Sequence, residues 1–557
     1  MSATTILREG RSGHGNRVGR EERASLLLGD EAVGLGARDA GITAAYAYPG
    51  TPATEILEYL LAQGPGERSS VVSWCANEKT AYEQALGVSM AGRRALVVMK
   101  HVGLNVAADP FINSAIVSPV GGLVVAVADD PSMHSSQNEQ DSRFYADFAR
   151  IPCLEPATPQ EAYDMTREAF ELSERFRVPV MVRLVTRLAH QRAAVMPAQR
   201  RPDNPLRLSE DRTEWVLLPA FARRLWRRLL EQGPEHERWS EDSPHNRLTE
   251  ASGARLGVLT TGIAREYFLE VAPALQEPVS HLHVATYPMP VEKIRRLVDG
   301  VESVLVVEEG YPFVERAMRG VLRSEHDIRG RMSGHLPPDG ELGQEVLRGA
   351  LGLTARERID APEGDLPPRP PRLCDGCPHT DAYVALKRAL EGHDRPVITA
   401  DIGCYTLGAL PPWEAGDSCV CMGASVGMAK GAAEAGAHPV VAVIGDSTFL
   451  HSGVTPLMDA VAADADMTLL ILDNEVVAMT GGQPTVMPSE RLRQLVLGVG
   501  VDPEHCHVME AHPRRIDELS EIMRGAIAHR GLSVIIAHRE CIEAARKRKS
   551  EARRKQS

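Results

Sequence analysis

Short runs of uninterrupted apolar residues, each followed by a helix-length segment, constrain this chain more than any other feature. VVAVI at 440–444 and LLIL at 469–472 show no polar alternation, so strands built from them must be covered on both faces. Strands of that kind belong to parallel sheets flanked by helices. The same pattern recurs as AAYAY from Ala44, ALVVM from Ala95, LVVAV from Leu123 and VPVMV from Val178. The expected fold class is therefore α/β, with two doubly wound parallel-sheet modules.

Changes of composition divide the chain. Residues 1–23 read as a disordered leader and 24–196 as the first module. Residues 197–253 are polar and rich in Arg, Glu, Trp and Pro, with one amphipathic stretch near 221–230, and read as a linker or insertion. RLGVLTTG, HLHVATYPMP and SVLVVEEG place a smaller α/β domain at 254–353. LPPRPPR, which disfavours helix and removes backbone donors, lies in a boundary at 354–372. The second large module spans 373–545, and a basic tail follows at 546–557. From Arg539 to the end stand eight Lys or Arg against three Glu, which reads as a solvated, frayed terminus.

A formal net charge of −13 argues against a general nucleic-acid binder, which needs a basic face to displace counterions from phosphates. No apolar run approaches the ~20 residues that span a bilayer, and the first residues lack a secretory pattern, so no membrane partner and a cytoplasmic location are expected. Nine cysteines without a secretion signal point to buried thiols, metal or redox chemistry rather than disulfides.

The strongest motif is Gly445-Asp446-Ser447, followed after 26 residues by Asn474. One apolar strand delivers Asp446 and another delivers Asn474, so both fall at carboxyl ends of parallel strands, where open α/β sheets bind ligands. Asp446, the Asn474 amide oxygen and the Val476 carbonyl are the oxygen donors that Mg²⁺ prefers beside phosphate and water. Glu78, nine residues before Gly87, is either a helix-start acid or a buried general acid–base. Two further strand-end loops, Tyr48-Pro49-Gly50-Thr51-Pro52 and the segment from Lys100 to Asn105, suit either a carboxylate or diphosphate or plain turn chemistry. His451, just after Asp446, serves either proton transfer or capping and packing. Cys374-x-x-Cys377 suits zinc or an iron–sulfur cluster. Cys419 and Cys421 are either competing ligands or, the preferred reading, packed in the core like Cys75, Cys153 and Cys506.

These motifs together resemble the thiamine-diphosphate-dependent 2-oxoacid:ferredoxin oxidoreductases, and most closely the indolepyruvate:ferredoxin oxidoreductase alpha subunits. The GDS…N pair resembles the GDG…N arrangement, with Ser447 departing from its third Gly. NEVVAMTGGQPT, YPGTP, MKHVGLN and ADIGCYTLG resemble family segments, and the likeness covers most of the chain from Ser25 to Ile542. The resemblance implies a thiamine-diphosphate-binding fold in which 24–196 is the pyrimidine-binding domain, 254–353 is transketolase C-terminal-like and 373–545 is the diphosphate-binding domain. Its implied cofactors are thiamine diphosphate, Mg²⁺ and one [4Fe-4S] cluster on Cys374, Cys377, Cys404 and Cys541.

It implies Glu78, Thr51 and His451 as catalytic groups, with Thr51 touching the 2-oxoacid. Gly50, Glu78, Asn105, Gly423, Gly445, Asp446, Ser447, Asn474, Thr480 and Gly481 would bind cofactor. The implied reaction is oxidative decarboxylation of an aryl-2-oxoacid to acyl-CoA and CO₂. Its implied partners are the 2-oxoacid and coenzyme A, a smaller beta- or gamma-type subunit, ferredoxin or another electron carrier, and a second copy of the chain. One departure is the run ARKRKSEARRKQS where family members carry a ferredoxin domain, which implies a separate exit for electrons. Non-oxidative decarboxylation or carboligation, and an inert assembly subunit on the same fold, are the alternatives.

Overall fold

A computed structural model describes residues 24–63, 70–320, 326–356 and 372–556. The proposed leader, and all of the Pro-rich boundary between 357 and 371, lie outside the described residues.

Three sheets organise the chain. The first has seven strands in the spatial order Thr286–Tyr287, Cys153–Leu154, Val180–Val185, Leu123–Asp129, Ala95–Lys100, Ala44–Ala47 and Val71–Trp74. All neighbours are parallel except the outermost pair, in which Thr286–Tyr287 runs antiparallel to Cys153–Leu154. The third sheet is wholly parallel, in the order Val397–Ala400, Val440–Gly445, Thr468–Asp473, Ser533–His538 and Cys506–Glu510. Between them in sequence lies a mixed five-stranded sheet centred on Leu256–Thr261.

The apolar runs behave as their composition dictates. In the third sheet Val441, Val443, Leu470 and Leu472 pack with the helices Pro378–Ala389 and Ile516–Ala528. Their neighbours Val440, Ala442, Leu469 and Ile471 pack into a separate core with the helices Ala424–Glu434, Val454–Ala462 and Leu492–Val499. Alternate side chains thus enter two cores, the signature of a sheet wound on both faces.

The first and central sheets are welded by buried charge. Arg183, fully buried, bonds Asp129 at 2.7 Å and Glu155, while Arg143 meets Asp141 and Glu308. Guanidinium forks satisfy several acceptors at once, so such a cluster holds together where a single partner's loss would strand a charge.

Two stretches differ from the sequence reading. The helix in 197–253 runs for 24 residues, Pro219–Asp242, straight through Gly233 and Pro234, a pair that signals a break. Tertiary contacts sustain it: His236 packs on Phe176 at 4.6 Å between ring centroids, and Ser240 donates to the Thr286 carbonyl at 2.9 Å. The basic tail is helical, Ile542–Gln556, rather than frayed; Ala, Lys, Arg and Glu are strong helix formers, and Arg546 pairs with Glu543 one turn earlier. Among the described residues no helix is long and apolar enough to cross a membrane.

Candidate functional site

Parallel register brings the first pair of residues together. Gly445 lies opposite Leu472, so the chain leaves both strands at the same edge of the sheet and sets Asp446 beside the 473–476 turn. The Asp446 carboxylate accepts from the Glu475 N–H at 3.0 Å. Burial pushes Asp446 well above the usual carboxylate range, and repulsion from Asp473 pushes it further. For Asp473 burial also acts upward but is outweighed by its bond from His538, so its carboxyl titrates low. His379, drawn down to about 4 by burial, is neutral and accepts from the Asn474 amide nitrogen at 3.2 Å, while the amide oxygen accepts from Val476 N–H. A buried carboxylate crowded by a second one, next to an amide oxygen and a peptide carbonyl, is a donor set suited to a hard divalent cation. Among the described residues no three or more His, Cys, Asp or Glu converge as an ion site by themselves.

Glycines shape the floor. A Cβ on Gly445 would stand 2.6 Å from the Tyr405 ring, and one on Gly423 would stand 2.5 Å from the Ser452 carbonyl. Gly423, with φ +89°, precedes the helix Ala424–Glu434 and donates its N–H to buried Asp401 at 2.9 Å.

The opposite wall comes from the first sheet. Asn77 caps the helix Glu78–Met90 through Thr80 N–H, and its amide donates to the His451 carbonyl across the domain boundary at 2.9 Å. Glu78, 5% exposed, meets His451 Nε2 at 2.7 Å. His451 sits in a π-helical turn, Phe449–Gly453, a local widening of the helix found often at functional sites. Its ring packs edge-on against Tyr48 at 4.6 Å, and the Tyr48 hydroxyl meets Ser447 Oγ at 3.0 Å. Gln483 Nε2 donates to Glu58 at 2.8 Å, a further bond between the two modules.

One cleft within a single chain is therefore lined by Tyr48, Gly50, Thr51 and Glu78 from the first module, and by Gly445, Asp446, Ser447, Asn474, Val476 and Thr480 from the other. His451 reaches it through Glu78. Three expected residues lie elsewhere. Asn105 is exposed and accepts from Tyr145 OH at 2.5 Å. Gly423 stands behind the floor, and Gly481, with φ +122°, lines a second cavity. Tyr48, Asn77, His379, Tyr405 and Lys100 join the site without having been singled out. Tyr48, Lys100 and Tyr405 stood in quoted motifs, and Asn77 and His379 lie within two residues of Glu78 and Cys377.

The second cavity, about 600 Å³, adjoins the cleft through Cys404, Asn474, Val476 and Ala478, and Cys374, Cys377, Cys404 and Cys541 all line it. Burial pushes the Cys377 thiol up to about 11 and Cys404 up to about 12, with each raised further by neighbouring cysteines of the same set. Cys75, Cys153 and Cys506 are buried as expected, whereas Cys419 and Cys421 are exposed, because the loop before Gly423 turns outward.

Sequence comparison agrees with this geometry. The C-terminal TPP-binding domain of thiamine pyrophosphate enzymes matches residues 401–537, and the thiamine-diphosphate-binding domain of pyruvate flavodoxin/ferredoxin oxidoreductases matches 35–214. The indolepyruvate oxidoreductase subunit IorA of Archaeoglobus fulgidus is 38% identical over 93% of this chain and 86% of its own length. The IorA subunit of Methanothermobacter marburgensis is 38% identical over 94% and 88%, and that of Thermococcus kodakarensis 35% over 93% and 85%. The chain is a member of the IorA family, alpha subunits of thiamine-diphosphate-dependent 2-oxoacid:ferredoxin oxidoreductases.

Proposed function

We propose that this protein oxidatively decarboxylates an aryl-2-oxoacid of the indolepyruvate or phenylpyruvate type, giving acyl-CoA and CO₂ and passing electrons to ferredoxin or another carrier. The observation that carries the reading is the Glu78–His451 bond, which joins the two modules above Asp446 and Asn474. Residues 24–196 act as the pyrimidine-binding domain, 373–545 as the diphosphate-binding domain and 254–353 as the transketolase C-terminal-like domain.

Asp446, the Asn474 amide oxygen and the Val476 carbonyl would hold Mg²⁺, and through it the diphosphate. Gly50, Gly445, Ser447 and Thr480 line the same space, and Gly423 and Gly481 support it through the backbone. When bound, thiamine diphosphate supplies the carbon nucleophile that the side chains lack and takes up the electron pair released with CO₂. Glu78 would meet the aminopyrimidine end of the cofactor with its carboxyl group, and His451 Nε2, 2.7 Å from that carboxyl, would relay a proton to or from it. Thr51 offers its hydroxyl to the 2-oxoacid. Val102, Ile402, Met422, Val477, Ala478 and Met479 give the cleft an apolar wall, which favours an aryl side chain over a second carboxylate.

Cys374, Cys377, Cys404 and Cys541 line one cavity and act on one another electrostatically, so four thiolates are gathered there. Their place next to the cleft favours an electron-carrying [4Fe-4S] cluster over structural zinc. A smaller beta- or gamma-type subunit and a second copy of the chain complete the assembly, in the cytoplasm.

The test is anaerobic turnover of phenylpyruvate and indolepyruvate with coenzyme A and a viologen acceptor, with and without a co-expressed small subunit. Arylacetyl-CoA formed in step with CO₂ and reduced acceptor supports the reading. Aldehyde as the product, with no dependence on coenzyme A, would replace it with non-oxidative decarboxylation.

A further inference from the structure

Lys100 is the one basic side chain among the described residues that line the cleft. It closes the strand Ala95–Lys100, whose neighbours Ala44–Ala47 and Leu123–Asp129 lead into Thr51 on one side and Asp130 on the other. The side chain is 8% exposed, and its Nζ donates to the Ser135 carbonyl at 3.0 Å. Among the described residues it forms no ion pair. An ammonium group carries three donors, and burying one that meets a single carbonyl is costly unless an anion joins it.

Its surroundings locate that anion. The Lys100 stem lies against the Thr51 loop so closely that a Cβ on Gly50 would stand 3.3 Å from its Cγ and Cδ. Ser135 Oγ donates to the Thr51 carbonyl at 3.2 Å, so one residue ties both Thr51 and Lys100 to the same stretch of wall. Asp130 is already engaged by Ser135, Ser136 and Thr186, and Glu78 by His451. Both attract Lys100 electrostatically, but among the described residues neither hydrogen-bonds to it, so its remaining donors are open to a further acceptor.

We propose that Lys100 is the carboxylate-binding subsite of the cleft, receiving the C1 carboxylate of the 2-oxoacid while the apolar wall receives its side chain. The inference rests on the 2-oxoacid reading above and adds the group that recognises the acid.

Charge state makes the subsite sensitive to pH. Burial lowers Lys100 to about 8, against the opposing pull of Asp130 and Glu78. The other titratable groups around it are otherwise occupied. His101 turns to the Asn138 carbonyl, Asp129 pairs with Arg183, and Tyr48 is raised by burial and stays neutral. Lys100 is thus cationic below about pH 8 and neutral above it, and carboxylate binding is lost as pH rises through that value.

The test uses full-length protein loaded with thiamine diphosphate and Mg²⁺, and compares wild type, Lys100→Met and Lys100→Arg. Calorimetry measures binding of 3-phenylpropanoate and its uncharged isostere 3-phenylpropanamide at pH 7 and pH 9. A charge-assisted hydrogen bond to a buried carboxylate corresponds to about a 30-fold preference for the acid. Wild type should show that preference at pH 7 and lose most of it at pH 9. Lys100→Met should lack it at both, with the amide bound equally by all three proteins, and Lys100→Arg should keep it at both. Lys100→Met with an intact preference overturns the proposal, as does equal loss of both ligands, which marks structural damage. Phenylpyruvate turnover by wild type with its co-expressed small subunit, coenzyme A and a viologen acceptor is measured in parallel. Acid preference without turnover would sink the 2-oxoacid reading and spare the subsite, whereas turnover without acid preference would do the reverse.

Discussion

Gly103 makes the cross-domain pair of Glu78 and His451 testable without changing either residue. It lies on the helix His101–Val106, and a Cβ there would stand 2.5 Å from Glu78 Oε1, 2.7 Å from Cγ and 2.8 Å from Cδ. Non-bonded heavy atoms sit comfortably at about 3.5–4.0 Å, so Gly103→Ala must push the whole carboxyl arm by about 1 Å. The Glu78–His451 bond, 2.7 Å in the wild type, would then leave hydrogen-bonding range. Misplacing a catalytic group by about 1 Å costs on the order of 100-fold in rate. Alanine in a helix is also favoured over glycine by up to about 1 kcal/mol, so the fold itself need not suffer. The assay is kcat with phenylpyruvate and viologen, alongside the melting temperature and thiamine diphosphate affinity. The expected result is about a 100-fold loss of kcat with little change in melting. A variant within about threefold of wild type would refute the role given to the Glu78 carboxyl position.

Other substitutions probe the remaining parts. Asp446→Ala should abolish Mg²⁺-dependent retention of thiamine diphosphate on gel filtration, since the diphosphate loses its metal anchor. Cys404→Ser should purify anaerobically without the brown colour and with iron well below the roughly four atoms per chain of one cubane cluster. Cluster assembly on the wild type should speed up as pH rises, because the Cys377 and Cys404 thiols, raised to about 11 and about 12, must lose protons to become ligands. Glu309 is buried and raised to about 7, chiefly by desolvation. The stability its protonated form contributes is present below about pH 4.5 and lost as pH climbs through about 7, so Glu309→Gln should show a shallower fall in denaturation midpoint between pH 5 and pH 8.

The residues legible in the sequence were those whose surroundings are local. Asp446 and Asn474 follow strands so apolar that only a doubly covered sheet can hold them, and the carboxyl end of such a strand is where a ligand goes. The Glu78–His451 contact joins residues 373 apart, and no local pattern records it. Asn105 was drawn in by its motif, yet the motif runs into a helix. Gly103 faces Glu78, and two residues further on, about 200° around the axis, Asn105 faces outward to Tyr145. Lys100 opens a loop whose sequence suits a carboxylate, but lysine is ordinarily a surface residue, and only the fold reveals that this one is buried beside Thr51. The long helix across Pro234 was hidden for the opposite reason, a strong local stop signal overruled by packing on Phe176 and Thr286.

Hydrogen–deuterium exchange with and without thiamine diphosphate and Mg²⁺ examines the shared cleft most directly. Both lobes of one chain should gain protection together, at 48–54 and 78–90 on one side and at 445–453 and 474–480 on the other. Protection confined to a single lobe, or absent from both at saturating cofactor, would contradict a thiamine site built between them.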